Sequence, residues 1–187
     1  MDNAALQGGF IDPARDAARA FRAGMEAMAR PGTIQTLNGC TAPAPMSVAA
    51  ATLLATLCDA ETPLYLAGTC DTNGVRDWVR FHLGAPLVGR ADAMFAVGDW
   101  AALAPLDAYA VGTPDYPDRS ATLIVEVAAL TNTGATLTGP GIAQTATLSL
   151  PDGLLAARVA RYPLGIDFYF TCGDCIAALP RTTKGAR

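Results

Sequence analysis

The chain has 187 residues, of which 51% are hydrophobic and 16% are charged, and its formal net charge is −4. This composition predicts a compact globular domain over residues 1–187 and argues against a disordered chain. Because the balance is acidic and no Lys/Arg run occurs, we expect neither nucleic acid nor a membrane as a partner. The N-terminus shows no secretion-signal pattern and no apolar run approaches about 18 residues, so a cytoplasmic location is expected.

Lysine is almost absent, since Lys184 is the only one among thirteen basic residues. Schiff-base chemistry requires a lysine in a pocket, whereas arginine favours two-pronged recognition of carboxylate or phosphate. We therefore predict no lysine-linked cofactor. The number of cysteines is odd, so we expect free thiols. We expect no metal site, because Cys172 and Cys175 would need two more ligands from Cys40, Cys58, Cys70 or His82, which show no paired spacing.

A first helix is predicted from about 13 to 29, with Asp12 as its N-cap, Pro13 at its first position and Pro31-Gly32 after its end. One face at helical spacing is predicted to be core and consists of Ala14, Ala17, Phe21, Gly24, Met25 and Met28. The other face carries Arg15, Arg19, Arg22 and Glu26. We interpret it as a solvated face with a Glu26–Arg30 pair, and phosphate binding by this arginine row is the alternative.

Ser47 is predicted to cap a helix that runs through about Cys58, and Leu64 to Ala67 to form a short buried strand. A further helix of about 75 to 83 ends near His82, the only histidine. A catalytic base would need an orienting carboxylate and a nucleophile nearby, and the sequence indicates neither. A structural or interface role is therefore the preferred interpretation of His82.

Two more buried strands are predicted in the middle of the chain, at residues 93–97 and 121–130. Between them, Asp99 is placed to cap a helical turn, and the turn-rich segment 112–118 is either a surface connection or a contact loop. Glu126 interrupts the second strand. If it is buried, it needs a partner such as arginine, or it must be protonated.

The bend Gly139-Pro140-Gly141 is stiff because proline fixes φ while glycine permits positive φ. It is either a plain turn or a loop whose N–H groups converge on an anion or a partner. After it come an apolar segment at 145–150, a short helix of about 154–161 and a clear alternating strand from Ile166 to Phe170.

Cys172-Gly173-Asp174-Cys175 follows this strand, and Asp174 is predicted to cap a last helical segment that ends at Leu179-Pro180. A CxxC between a strand and a helix is the thioredoxin arrangement, so thiol redox chemistry is one hypothesis. The motif lies near the C-terminus and lacks the preceding βαβ unit, which makes this hypothesis the weakest one.

Separated stretches along the whole chain resemble the PhnH family, the H subunit of the bacterial carbon–phosphorus lyase system. The stretches are Gly9-Phe10 through Phe21-Arg22, Met25 to Gly32, Leu57 to Pro63, Trp78 to His82 with Ala85-Pro86, Gly112-Thr113 with Ala121 to Ile124, Leu137 to Ile142, Pro163 to Asp167 and Leu179 to Thr183. Two departures are that the segment 143–162 is shorter than usual and that Cys175 is not part of the family pattern.

The resemblance implies a three-layer α/β fold with helices on both faces of a mixed sheet, similar to pyridoxal-phosphate-dependent transferases but without cofactor. It also implies a complex with G, I and J subunits that converts ATP and an alkylphosphonate to a ribose 1-alkylphosphonate 5-triphosphate and releases adenine. The H subunit would support assembly, and alone it would form a homodimer.

The candidate binding or interface residues are Arg22, Arg30, His82, Gly139, Pro140, Gly141, Asp167 and Arg181. The main alternative to an assembly role is direct binding of a phosphonate or nucleotide by Arg22, Arg30 or Arg181 together with the glycine bend. No catalytic residue is predicted.

Overall fold

The computed structural model describes residues 3–158 and 162–186. Its helices are α1 (Pro13–Ala29), α2 (Val48–Leu57), α3 (Asn73–His82), α4 (Trp100–Leu103) and α5 (Leu154–Ala157). Its strands are β1 (Gln35–Thr36), β2 (Leu64–Leu66), β3 (Phe95–Asp99), β4 (Thr122–Glu126), β5 (Ala135–Thr138), β6 (Ala146–Leu148), β7 (Asp167–Cys172), β8 (Cys175–Leu179) and β9 (Lys184–Ala186). Short 3-10 turns connect several of these elements.

The main sheet has six strands in the order β1-β8-β7-β4-β3-β2. Strands β2, β3, β4 and β7 run parallel, whereas β8 is antiparallel to β7 and to β1. A second, antiparallel sheet has the order β6-β5-β9. The fold is therefore mixed α/β, as predicted.

Two hydrophobic cores lie on opposite faces of the main sheet. The first core packs α1, α2 and α3 against one face of the strands, which includes Ile124 and Tyr169. The second joins the other strand face, including Leu123 and Phe168, to α4, α5 and the small sheet. The second face thus carries the small antiparallel sheet beside two helices of four residues each, rather than a full helical layer.

The predicted core face of α1 was wrong in part. Ala20, Gly24 and Ala27 are buried, whereas Phe21 is 54% exposed and Met25 is 49% exposed. Gly24 permits a close approach, because a Cβ there would lie 3.3 Å from Leu53 Cδ1. The helix therefore turns its small residues toward α2 and β7, and its large apolar residues point outward.

The predicted C-terminal helix was also wrong, because residues 175–179 form strand β8 of a hairpin with β7. Gly173 has φ +60 and allows the tight turn, and Asp174 sits within that turn instead of capping a helix. Ile176 to Leu179 are buried on alternate sides of the sheet, which satisfies their apolar side chains as well as a helix would.

Other predicted elements exist with shifted boundaries. Ser47 and Asp99 cap α2 and α4 as predicted, and α3 begins two residues earlier than expected, capped by Thr72. Strand β4 ends at Glu126 rather than near residue 130. The side chains of β7 alternate between the two faces of the sheet as predicted, with Phe168 and Phe170 on one face and Tyr169 on the α1 side, and all three are buried. For the helix predicted over 154–161, residues 159–161 lie outside the described residues.

Candidate functional site

Arg181 and Asp167 form the best-defined polar cluster among the candidate residues. Arg181 Nε donates to both Asp167 oxygens at 3.2 and 3.1 Å, and its backbone N–H donates to Asp167 Oδ1 at 2.7 Å. Arg181 Nη2 donates to Asp167 and to the Ser120 hydroxyl, and Nη1 donates to the carbonyls of Pro117 and Pro163. We call these five residues the Arg181 cluster.

The Arg181 cluster uses all three guanidinium nitrogens within the molecule. Its two charged side chains are largely buried, with 15% exposure for Arg181 and 20% for Asp167. A guanidinium holds a second anion only through N–H groups that are not already engaged. The cluster therefore ties the loop near residue 117, the start of β7 and the end of β8 together, and it offers no open anion site.

The Gly139-Pro140-Gly141 bend packs against the C-terminal end of α1. Gly139 and Gly141 have φ of +137 and +81, and the Ile142 N–H donates to the Gly139 carbonyl at 3.2 Å. A Cβ at Gly141 would lie 1.9 Å from the Ala29 carbonyl oxygen, and one at Gly139 would lie 3.2 Å from the Thr182 carbonyl. The backbone fits there only because these positions are glycine.

This location has an electrostatic consequence for the bend. The C-terminal end of a helix carries the negative end of its dipole, and the Ala29 carbonyl of α1 faces Gly141. Anions are favoured at helix N-termini, so the negative end of α1 disfavours phosphate at this position. The geometry favours a rigid corner between α1, the small sheet and the C-terminal segment over an anion cradle.

Arg22 and Arg30 lie on the exposed side of α1. Arg30 pairs with Glu26 at 2.9 Å, as predicted, whereas Arg22 forms no ion pair with any described residue. A groove of about 280 Å³ lies between α1 and the segment 36–39, and Arg19 and Asp16 line it. None of the three candidate arginines Arg22, Arg30 and Arg181 lines this groove.

His82 ends α3 and fastens the N-terminal segment. Its Nε2 lies 3.0 Å from the Gln7 carbonyl, and its ring packs on Trp78 and Phe81 with centroid distances of 5.1 and 4.9 Å. The Gly9 backbone lies so close that a Cβ there would be 2.7 Å from His82 Nδ1. These contacts agree with the structural interpretation of His82.

Glu126 ends β4 beneath the N-terminus of α2. Its carboxylate accepts the Ser47 N–H at 2.7 Å and the Thr171 hydroxyl at 3.0 Å. Burial raises the pKa of Glu126, and these hydrogen bonds partly oppose the increase. The partner is therefore a helix N-terminus and a hydroxyl instead of the arginine suggested by the sequence.

Cys172 and Cys175 face each other across the β7–β8 hairpin, and both are free thiols. Burial and the adjacent Asp174 raise the pKa of Cys175. Thioredoxin-like reactivity requires a helix N-terminus that lowers the thiol pKa, and the segment after Cys175 is a strand. Burial also raises the pKa of Cys40, Cys58 and Cys70 to about 12 each.

Arg158 is a structural residue that the sequence interpretation missed. It is largely buried, its guanidinium lies over the Phe168 ring at 5.7 Å, and it donates to the carbonyls of Pro180 and Thr183 at 2.8 and 3.3 Å. Burial lowers its pKa. The sequence did offer one signal, the scarcity of lysine. A side chain that donates to several carbonyls in a partly buried place is usually arginine.

Comparison with known proteins decides the family. The family model described as "Bacterial phosphonate metabolism protein (PhnH)" matches residues 8–186. The chain belongs to the PhnH family. It is also similar to the alpha-D-ribose 1-methylphosphonate 5-triphosphate synthase subunit PhnH of Rhizobium meliloti (strain 1021), with 40% identity over 190 residues that cover 95% of this chain and 94% of the relative.

Membership of the PhnH family confirms the resemblance and its link to phosphonate metabolism. The structure shows that several stretches that carried the resemblance meet one another. Pro163 to Asp167 and Leu179 to Thr183 share the Arg181 cluster, and Leu137 to Ile142 contacts the end of α1. These PhnH motifs therefore contact one another inside the fold and connect segments that are distant along the chain.

No group of three or more histidine, cysteine, aspartate or glutamate side chains in residues 3–158 and 162–186 is placed to share a metal ion. Within the same ranges, no helix combines the length and apolar character needed to cross a membrane.

Proposed function

We propose that this chain is a non-catalytic subunit that supports the assembly of a phosphonate-processing complex. One observation carries the proposal: in a chain of the PhnH family, the candidate residues Arg181, Asp167 and Gly141 are engaged in contacts inside the molecule. Residues engaged in this way hold the fold in shape, and they are not free to bind a substrate.

The partners follow from the resemblance and from the relative's name. The Rhizobium meliloti protein is called a synthase subunit, and we propose that this chain likewise associates with G, I and J subunits. The complex would form a ribose 1-alkylphosphonate 5-triphosphate from ATP and an alkylphosphonate, with release of adenine. We further propose a homodimer for the isolated chain, and a fold related to that of the pyridoxal-phosphate-dependent transferases.

The test is a synthase reconstituted from purified subunits with ATP and methylphosphonate, with adenine release as the readout. This chain alone is expected to release no adenine, and omission of this chain is expected to reduce both the yield of intact complex and the activity. Full activity and a stable complex of the other subunits without this chain would contradict the proposal.

Direct binding of a phosphonate or nucleotide is the second candidate. The observation in its favour is Arg22, which is exposed and has no ion pair among the described residues. Titration calorimetry with ATP and with methylphosphonate tests it, on the chain alone and in the complex. Heat that is lost in Arg22→Gln would favour this function, and absence of heat with both ligands would eliminate it.

A further inference from the structure

The outer side of α1 is apolar although it faces away from both cores. Phe21 and Met25 are about half exposed, one helical turn apart, and Ala14, Ala18 and Ala29 continue the same stripe. We call these five residues the α1 outer stripe. It runs along a helix of 17 residues, which corresponds to about 25 Å at the usual rise per residue.

The shape of the α1 outer stripe suits a packed protein surface. Alanine positions let another backbone approach closely, while the two large side chains can insert between side chains of a partner. Exposed apolar surface that is contiguous, in contrast to scattered single residues, marks interaction sites in soluble proteins. Methionine and aromatic residues are also enriched in the cores of interfaces.

Charge identifies what kind of partner fits. Along the edge of the stripe, Arg15, Arg19 and Arg30 pair with Asp12, Asp16 and Glu26 at 3.6, 3.9 and 2.9 Å. Arg22 lies between Phe21 and Met25 in sequence and has no ion pair among the described residues. A carboxylate on the partner would form an ion pair with Arg22, as the other three arginines do within this chain.

A second copy of this chain fits less well than a different protein. Two-fold docking through α1 brings the same surface to both sides of the interface, so it adds a second Arg22. The three acidic residues of this surface already pair with arginines. A symmetric pair of α1 helices therefore supplies no uncommitted carboxylate for Arg22.

We infer that the α1 outer stripe is the docking surface for a different protein subunit, one that presents an apolar surface with a carboxylate opposite Arg22. This inference rests on the proposed function, because the partner is taken to be one of the other subunits of the phosphonate synthase. Beyond the proposed function, the inference names the surface of this chain that contacts the other subunit.

Met25→Glu tests the inference, and Met94→Glu is its matched control. Met94 is 50% exposed, close to the 49% of Met25, and it lies just before β3, away from the α1 outer stripe. Each variant is purified alone, and its dissociation constant for the complex of the other synthase subunits is measured. Thermal unfolding of each isolated variant shows whether it is folded.

The expected result is a loss of affinity of about tenfold or more for Met25→Glu, with wild-type affinity for Met94→Glu. Arg22→Glu is expected to weaken association by a similar factor, and Arg80→Glu on α3, whose Arg80 pairs with Asp77, is expected to have no effect. Equal affinity of the wild type, Met25→Glu and Arg22→Glu would overturn the inference.

Two further outcomes also decide the question. If Met25→Glu turns a dimer of the isolated chain into a monomer while the affinity for the other subunits is unchanged, the stripe is a contact between copies and the inference is wrong. If the wild-type chain itself does not bind the other subunits, the proposed function fails, and the inference about the stripe fails with it. Loss of binding only in the α1 variants supports both.

Discussion

Glu126 shows how a single partly buried carboxyl links stability to pH. Its pKa is raised in the folded state, so its contribution to stability is largest at low pH, where the carboxyl is protonated in both states. That contribution is lost as the pH rises through the folded-state pKa. Glu126→Gln keeps an acceptor for the Ser47 N–H and a polar group beside Thr171, without the cost of burying a charge.

The free energy of unfolding of wild type and Glu126→Gln, measured in urea between about pH 4 and pH 8, tests this assignment. We expect the variant to gain stability relative to the wild type as the pH rises, because only the wild type ionises at this position. A difference that is independent of pH would show that Glu126 has the same pKa in the folded and unfolded states.

Alanine substitutions at Gly141 and Gly153 distinguish the cost of a steric clash from the cost of a positive φ. Both have positive φ, +81 and +77, but a Cβ at Gly141 meets the Ala29 carbonyl at 1.9 Å and a Cβ at Gly153 meets nothing within 4 Å. We expect Gly153→Ala to cost about 1 kcal/mol of unfolding free energy and Gly141→Ala about 3 kcal/mol or more. Equal losses would show that the bend does not pack tightly on α1.

The sequence predicts single residues well where their role is local. Asp12, Ser47 and Asp99 were predicted as helix caps, and each accepts the backbone N–H three residues ahead. The partners of Arg181 could not be predicted, because Ser120 and Pro117 are 61 and 64 residues away along the chain. Such contacts depend on topology, which a local pattern does not contain.

At the scale of elements, the Arg181 cluster joins the beginning of β7 to the end of β8 and to the loop before β4. Arg181→Lys keeps the charge but loses the planar fork that reaches Asp167, Ser120 and two carbonyls. We expect a loss of about 3 kcal/mol in unfolding free energy. Chemical denaturation measures it, and the Lys184→Arg variant in the exposed end strand is a control for general substitution effects.

A double-mutant cycle assigns that loss to the pair. Asp167→Asn alone is expected to destabilise the protein, and the combined variant should lose less than the sum of the two single losses. Strict additivity would mean that Arg181 stabilises the fold through the Ser120 hydroxyl and the two carbonyls, without Asp167.

The core face of α1, which was wrong in part, and the helix predicted at residues 175–179 were mispredicted for a related reason: a local apolar pattern fits more than one arrangement. Helix α1 is apolar on its outer as well as its inner side, so helical periodicity could not tell which side meets the core. In residues 175–179, a short apolar run fits a strand buried on both faces as well as a helix. Tight packing of Gly24 against Leu53, which is distant along the chain, decided the first case, and the local turn at Gly173 decided the second.

For the whole molecule, the motif series predicted the PhnH family, which comparison confirms, and the resemblance implied the α/β fold with a mixed sheet that the structure shows. The strand order β1-β8-β7-β4-β3-β2 and the separate sheet β6-β5-β9 could not be derived from the sequence. Strands of two to four residues, such as β1, β5 and β9, are too short to give a periodic signal.

Assembly is the central claim for the whole molecule. The mass of the particle formed when this chain is co-expressed with the G, I and J subunits tests it most directly, with native mass spectrometry of the purified material as the measurement. The account predicts one assembly that contains this chain together with the other subunits, in fixed stoichiometry. It is contradicted if the other three subunits form a complete particle of their own and this chain is found only apart from it.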